Sequence, residues 1–247
     1  MQGTDDDKAG GTRPDRPGGG KQDDAATVFL FAVALTFGTG ATDVAAFTRL
    51  GNVFASVMTG NLVLLGLAAA RLSGTLAAHT LVAIGGYVAG VALGARLIPA
   101  GKVREGHVHH SVPGVLLVEL VLLAGFTAGW ELTGGAPHGG SQLVLAAVAS
   151  AALGTQSAAA RGLSARVSTT YLTGTLTTVV ASLFHPGARK VEWREATQLL
   201  ALASGAAAGA GLIVTVPAAL PAIPLAALIL VIGAIATLGL PPLPRLP

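Results

Sequence analysis

The sequence predicts an all-α membrane protein with six transmembrane crossings plus two broken or re-entrant segments, built as a pseudo-symmetric inverted repeat. Three observations lead there. The 247 residues are 52% hydrophobic and only 11% charged, with a mean hydropathy of +0.68, whereas a soluble domain carries about 25% charged residues. Eight apolar runs follow one another, at 26–46, 52–70, 77–98, 113–132, 142–160, 167–184, 196–216 and 221–240, and spanning hydrocarbon takes about 20 residues. A shift of 114 residues then lays the first four runs on the last four.

Residues 1–24 form a polar tail that cannot bury a core and is expected to be disordered. The first run has no convincing cleavage site and reads as an anchor helix, not a removed signal peptide. Residues 25–240 read as a single helical membrane domain, with repeat 1 at about 26–132 and repeat 2 at about 140–240. Residues 241–247 are a Pro-rich tail. The net charge of +3 fits basic loops beside a bilayer, and nothing pairs aromatic with basic residues in the manner of a nucleic-acid interface. With no cysteine, disulfides, thiolate metal sites and iron–sulfur clusters are excluded.

Under the 114-residue shift Gly40 falls on Gly154, Val53 on Val167, Thr59 on Thr173, Gly60 on Gly174 and Leu62 on Leu176. Asp43 falls on Ser157, and Asn61 on Thr175. The spacing of Lys and Arg fixes the topology. With eight full crossings the basic residues show no sidedness. If 52–70 and 167–184 instead enter and leave on one side, then Arg96, Lys102, Arg104, Arg161, Arg166, Arg189, Lys190, Arg194 and Arg245 share the cytoplasmic side, and only Arg49 and Arg71 lie outside. Each half then crosses three times, so the halves are inverted.

Two Thr-Gly steps, Met58-Thr59-Gly60-Asn61 and Leu172-Thr173-Gly174-Thr175, interrupt these two runs. Glycine weakens a helix interior by about 1 kcal/mol relative to alanine, and Thr or Asn can bond exposed backbone N–H groups. Paired broken helices at an inverted-repeat interface build substrate sites near the midplane, with free helix N-termini suited to an anion. The expected lining is Asp43, Asn52, Thr59, Gly60, Asn61, Gln156, Thr169, Thr170, Thr173, Gly174 and Thr175. Asp43 reads either as a carrier of a coupling proton or cation or as a local cap, with Arg49 as a partner. Glu119, deep in the fourth run, must be protonated or paired. Glu131 beside Trp130 reads as an interfacial anchor, and His79 as an interfacial or hydrogen-bonded residue. His107, His109 and His110 cluster in a loop, but no metal site is expected. Gly86, Gly90 and Gly94 form a small-residue stripe that reads first as packing within the bundle and second as a homodimer face.

The ordered motifs carry a resemblance. Gly40-x-x-Asp43, Asn52-Val53-Phe54 and Met58-Thr59-Gly60-Asn61, followed by Gly154-Thr155-Gln156 with Arg161 and Thr169-Thr170-x-Leu172-Thr173-Gly174-Thr175, resemble the two signatures of the YoaK-like bacterial membrane proteins. The resemblance implies a multi-pass inner-membrane protein and supplies no substrate, cofactor or site. The first functional expectation is a small secondary transporter or channel-like carrier for a small polar or anionic solute, without cofactor, in the bacterial inner membrane with a cytoplasmic N-terminus. The alternative is a non-transporting scaffold or a partner- or lipid-binding component. A carrier expects water-accessible Asn61 and Thr175; a scaffold expects both to be dry. An intramembrane enzyme is the least favoured class, since no catalytic motif is present.

Overall fold

The computed structural model describes residues 19–98, 111–163, 174, 176–177, 179–181 and 193–238. They include the helices α1 Gly19–Arg49, α2 Met58–Ala70, α3 Gly74–Leu97, α4 Val112–Leu132, α5 Gly140–Leu163, α6 Trp193–Thr215 and α7 Ala222–Leu238. A short 3-10 turn, Pro217–Ala219, joins the last two. Six helical segments are long and apolar enough to cross a membrane, and α2, with 13 residues, is the shorter apolar helix. At 1.5 Å per residue α2 reaches about 20 Å, well short of ~30 Å of hydrocarbon. Helix α1 starts at Gly19, inside the tail expected to be disordered, so the helix runs on past its apolar part.

Side-chain contacts give the helix directions. Gln142 of α5 donates to the Arg49 carbonyl (3.0 Å), and Gln156 of α5 pairs with Thr39 (2.9 Å), so α1 and α5 run antiparallel. Helices α1 and α6 run parallel, since Phe29 meets Arg194, the Phe37 carbonyl meets Gly205 and Ala41 meets Gly209. Helices α3 and α5 are also parallel, through Gly86 with Ala147, Gly90 with Ala151 and Gly94 with Ala158. It follows that α1 and α3 are antiparallel, so residues 50–73 leave and return at one end of the bundle. Helices α5 and α6 are antiparallel too, so the end of α5 and the start of α6 lie at one end of the bundle, the opposite one. This is the topology that the basic residues predict.

The glycine crossings make the repeat visible. A Cβ on Gly90 would sit 2.0 Å from the Ala151 carbonyl oxygen, and a Cβ on Gly205 2.0 Å from the Phe37 carbonyl oxygen. Gly94 meets Thr155 and Ala158, while Gly209 meets Ala41 and Val44; Gly154 meets Tyr87 and Val91, while Gly40 meets Leu202 and Ala206. Adding 114 to each α1 position gives its α5 counterpart, but α3 maps onto α6 with 115. A uniform shift of 114 would set Gly90 and Gly94 on Ser204 and Ala208; the crossings set them on Gly205 and Gly209. The halves interlock, with the first helix of each clasping a helix of the other. Gly86, Gly90 and Gly94 thus pack on α5 of the same chain.

Helices α1 and α5 form the centre of the bundle and are its most buried spans. Helix α4 packs on α5, α7 packs on α1, and α4 and α7 also meet. Trp130 is fully buried, and its indole N–H donates to the Pro217 carbonyl (2.8 Å), tying α4 to the α6–α7 turn. The Trp130 ring belongs to the core beside Phe126, while Glu131, read as an interfacial anchor, is exposed near the end of α4.

Candidate functional site

The first Thr-Gly step does not interrupt a helix. The interruption comes earlier, in residues 50–57, where Gly51 (φ +91°) and Asn52 (φ +60°) reverse the chain in the left-handed region. Glycine and asparagine adopt that region at least cost. A Cβ at Gly51 would also strike the His79 ring, 2.2 Å from Cδ2. The chain then descends to Ser56 and begins α2 at Met58, so Thr59, Gly60 and Asn61 lie in the first turn of α2. Gly60 leaves room for the Phe54 ring, 3.2 Å from where its Cβ would be, and that ring stacks on Phe47 at 5.1 Å.

Two side chains hold this re-entrant strap. Asp43 Oδ1 accepts the Ala55 and Ser56 backbone N–H groups, both at 2.8 Å, and Oδ2 accepts the Ser56 hydroxyl. The partner suggested from sequence, Arg49, is not the one used. Since Asp43 lies six residues before the end of α1, Ser56 has come back about 9 Å into the bundle. Asn61, fully buried, accepts from the Phe54 N–H (2.9 Å) and donates to the Phe54 carbonyl (2.7 Å). Its amide replaces the partners that a strand or helix would give that peptide. Asn61 is therefore dry, contrary to the expectation for a carrier, and Asn52 and Thr59 point outward, exposed.

The second cluster lies on the pseudo-axis. Gln156 bonds Thr39 Oγ1 and approaches the Leu35 carbonyl (3.4 Å), one turn from Asp43 but not in contact with its carboxylate. Of the buried polar side chains among the described residues, Thr36, Thr39, Thr42 and Asp43 line α1, and Ser150, Thr155, Gln156 and Ser157 line α5. Thr42, Thr155 and Ser157 bond back to their own helices. Thr36 and Ser150, which the 114-residue shift superposes, are buried with hydroxyls lacking a partner among the described residues. Thr169, Thr170, Thr173 and Thr175 fall outside the described residues, and Gly174 is helical and exposed. The structure thus brings Asp43 together with the strap, and Gln156 with Thr39; it does not join Asp43, Asn61 and Gln156 into one hollow.

Two buried titratable groups, Glu119 and His79, lie outside the lining expected from the sequence. Glu119 on α4 is 1% exposed, and neither carboxyl oxygen has a partner among the described residues. Burying such a group as an unpaired ion costs several kcal/mol. His79 is buried and bonds the Thr75 carbonyl through Nδ1 (2.8 Å), while Nε2 has no partner among the described residues. No group of three or more metal-ligating side chains occurs among the described residues. An apolar groove of about 700 Å³ lies between α1, α6 and α7, lined by Val33, Phe37, Leu200, Ala201, Ala227 and Leu230 among others.

A family profile described as "Protein of unknown function (DUF1275)" matches residues 31–236, from α1 to the end of α7. The chain belongs to the DUF1275 family. That match takes in both halves of the repeat, the strap and the α1–α5 seam. Similarity extends to the UPF0700 transmembrane protein YoaK of Bacillus subtilis (strain 168), 32% identical over 146 residues. The match spans 58% of this chain and 62% of that relative, a little under two thirds of its length. No solved structure matches the chain. The YoaK-like resemblance read from the motifs is therefore correct, and this DUF1275 member is a multi-pass transmembrane protein.

Proposed function

We propose that the protein is a small secondary transporter or channel-like carrier for a small polar or anionic solute. The observation that carries this is the polar seam along α1 and α5, at the centre of two interlocked, inverted halves. Polar side chains in lipid are costly and collect where something polar passes. Rocking one half against the other about such a seam is the usual route to alternating access. The strap supports the same reading: non-helical backbone at membrane depth is tolerated where protein or a water-filled path surrounds it. We place the N-terminus in the cytoplasm of a bacterial inner membrane, since Arg96, Arg161 and Arg194 mark that end of the bundle and Arg49 and Arg71 the other. The reading needs no cofactor and assigns no catalytic step.

A second reading, a lipid- or partner-binding component, draws on the dry Asn61 and the apolar groove between α1, α6 and α7. Stopped-flow light scattering on proteoliposomes, with glycerol, urea, glycine, formate and nitrate as solutes, separates the two. Transport predicts that at least one solute equilibrates faster than in protein-free vesicles, and that Gln156→Leu slows it. Folded protein that passes none of them, with or without an imposed gradient, leaves the second reading standing alone.

A further inference from the structure

We propose that Glu119 is a proton-exchange site: its carboxylate binds and releases a proton from within the bundle, and this titration links solute movement to the proton gradient. The link to solute rests on the transport reading; the exchange itself does not.

Helix α4 buries one stripe, Val112, Leu116, Glu119, Leu123, Phe126 and Trp130, at the spacing of a helix–helix seam. Every member but Glu119 is apolar. Leu116 and Leu123 on either side of it belong to one core with Leu35, Ala152, Leu228 and Val231, so the carboxyl sits where α1, α4, α5 and α7 converge. An aliphatic residue would satisfy that position better than an acid with two unpartnered oxygens, so packing does not account for it.

Register supplies the second observation. Gly129 meets Leu145 on α5, while Val115 and Ala158 both meet Gly94. Interpolating between these contacts puts Glu119 level with about Gly154 or Thr155, at the centre of the seam. Thr39 faces Gln156, so Thr36 lies about 6 Å to one side of that level and Ser150 about 7 Å to the other. These are the two buried hydroxyls without partners among the described residues. The three polar groups without partners among the described residues are thus spread along the bundle axis, with Glu119 between the two hydroxyls and near its middle. Hydroxyls so placed can orient a transient file of water to the carboxyl when the halves part. The step is simple: a hydronium ion protonates one carboxylate oxygen and leaves water, and the reverse step returns the proton to water on the other side.

Among the described residues, no neighbouring charge competes for this role. On α5 the described titratable group is Arg161, exposed at the helix end, and α7 carries none between Ala222 and Leu238. On α3, His79 bonds Thr75, Tyr87 donates to Ser157 (2.9 Å) and Arg96 is exposed. On α1, Asp43 is engaged by the strap. On α4 itself Glu131 is exposed.

Difference infrared spectroscopy of the full chain in liposomes, between acid and alkaline buffer, tests this in the carboxylic-acid C=O region. The wild type is expected to show a pH-responsive band from an acid in dry surroundings. Glu119→Gln and Glu119→Leu should both abolish it, and Glu131→Gln should leave it unchanged. The leucine variant covers the case in which glutamine impairs folding, because it continues the apolar stripe. With a pH-sensitive dye trapped inside vesicles, the wild type should also acidify the lumen faster than either Glu119 variant. A carboxyl that stays protonated throughout, or a band that persists in both variants, overturns the proposal. A titrating band in protein that passes no solute would leave proton exchange intact and remove only the transport reading.

Discussion

Asn61→Asp isolates the strap. The substitution keeps side-chain volume but turns the Nδ2 donor, 2.7 Å from the Phe54 carbonyl, into an oxygen. The bond to the Phe54 carbonyl and the weaker one to Met58 Sδ (3.7 Å) are both lost, and a buried carbonyl is left facing an acceptor. Leaving a buried group unsatisfied costs about 1–3 kcal/mol, and more where charge is involved, so we take about 2–4 kcal/mol for opening of residues 53–57. At 1.4 kcal/mol per factor of ten this raises the open population roughly 30- to 1,000-fold. Hydrogen exchange by mass spectrometry, on protein in lipid nanodiscs, should show that loss of protection at the Phe54, Ala55 and Ser56 amides. Those of α4 and α5 should be unaffected. Thr59→Ala, two residues away and exposed, is the control and should change little. If Asn61→Asp exchanges no faster than Thr59→Ala, the amide does not hold the strap.

Asp43→Ala should act on the same segment, because it strands the Ala55 and Ser56 N–H groups and the Ser56 hydroxyl, and should lower the thermal midpoint in detergent by several degrees; Asp43→Asn, which keeps one acceptor, should fall between it and the wild type. Gly90→Val and Gly205→Val should be comparably harmful, each losing roughly 3 kcal/mol or more, since each Cβ would strike a carbonyl oxygen in the equivalent crossing; Gly66→Ala and Gly211→Ala, with open space at the Cβ, should be neutral or gain up to about 1 kcal/mol in the same melting experiment. Trp130→Phe should cost about 1 kcal/mol from the lost bond to Pro217, read as a lower denaturant midpoint.

Hydropathy and charge made the scaffold legible. Runs of about twenty apolar residues report burial in lipid whatever they pack against, and Arg96 and Arg161 at the ends of their helices, with Arg194 at the start of its own, report which helix termini share one end of the bundle. The pairing of helices was less legible. Gly40, Gly154, Gly205 and Gly209 announce close approach, but which backbone approaches is a matter of global shape, and the one-residue difference between the 114 and 115 registers disappears among alanines. Asn61 shows the deeper limit. A polar side chain at membrane depth gives the same sequence signal whether it faces a solute or closes its own chain, and here it closes on Phe54. The first Thr-Gly step marks the right segment but not the break itself: the chain reverses at Gly51 and Asn52, and Gly60 only admits the Phe54 ring.

The claim beneath these readings is that both halves double back without crossing between their first and second long helices, from opposite ends. Since the chain has no cysteine, single cysteines at Asn52, Leu72, Arg161 and Arg194 can be labelled with a membrane-impermeant maleimide in sealed vesicles of known orientation. Positions 52 and 72 should react from one face, and 161 and 194 from the other. Labelling of 52 and 72 from opposite faces, or of 161 and 194 from opposite faces, would contradict the inverted architecture.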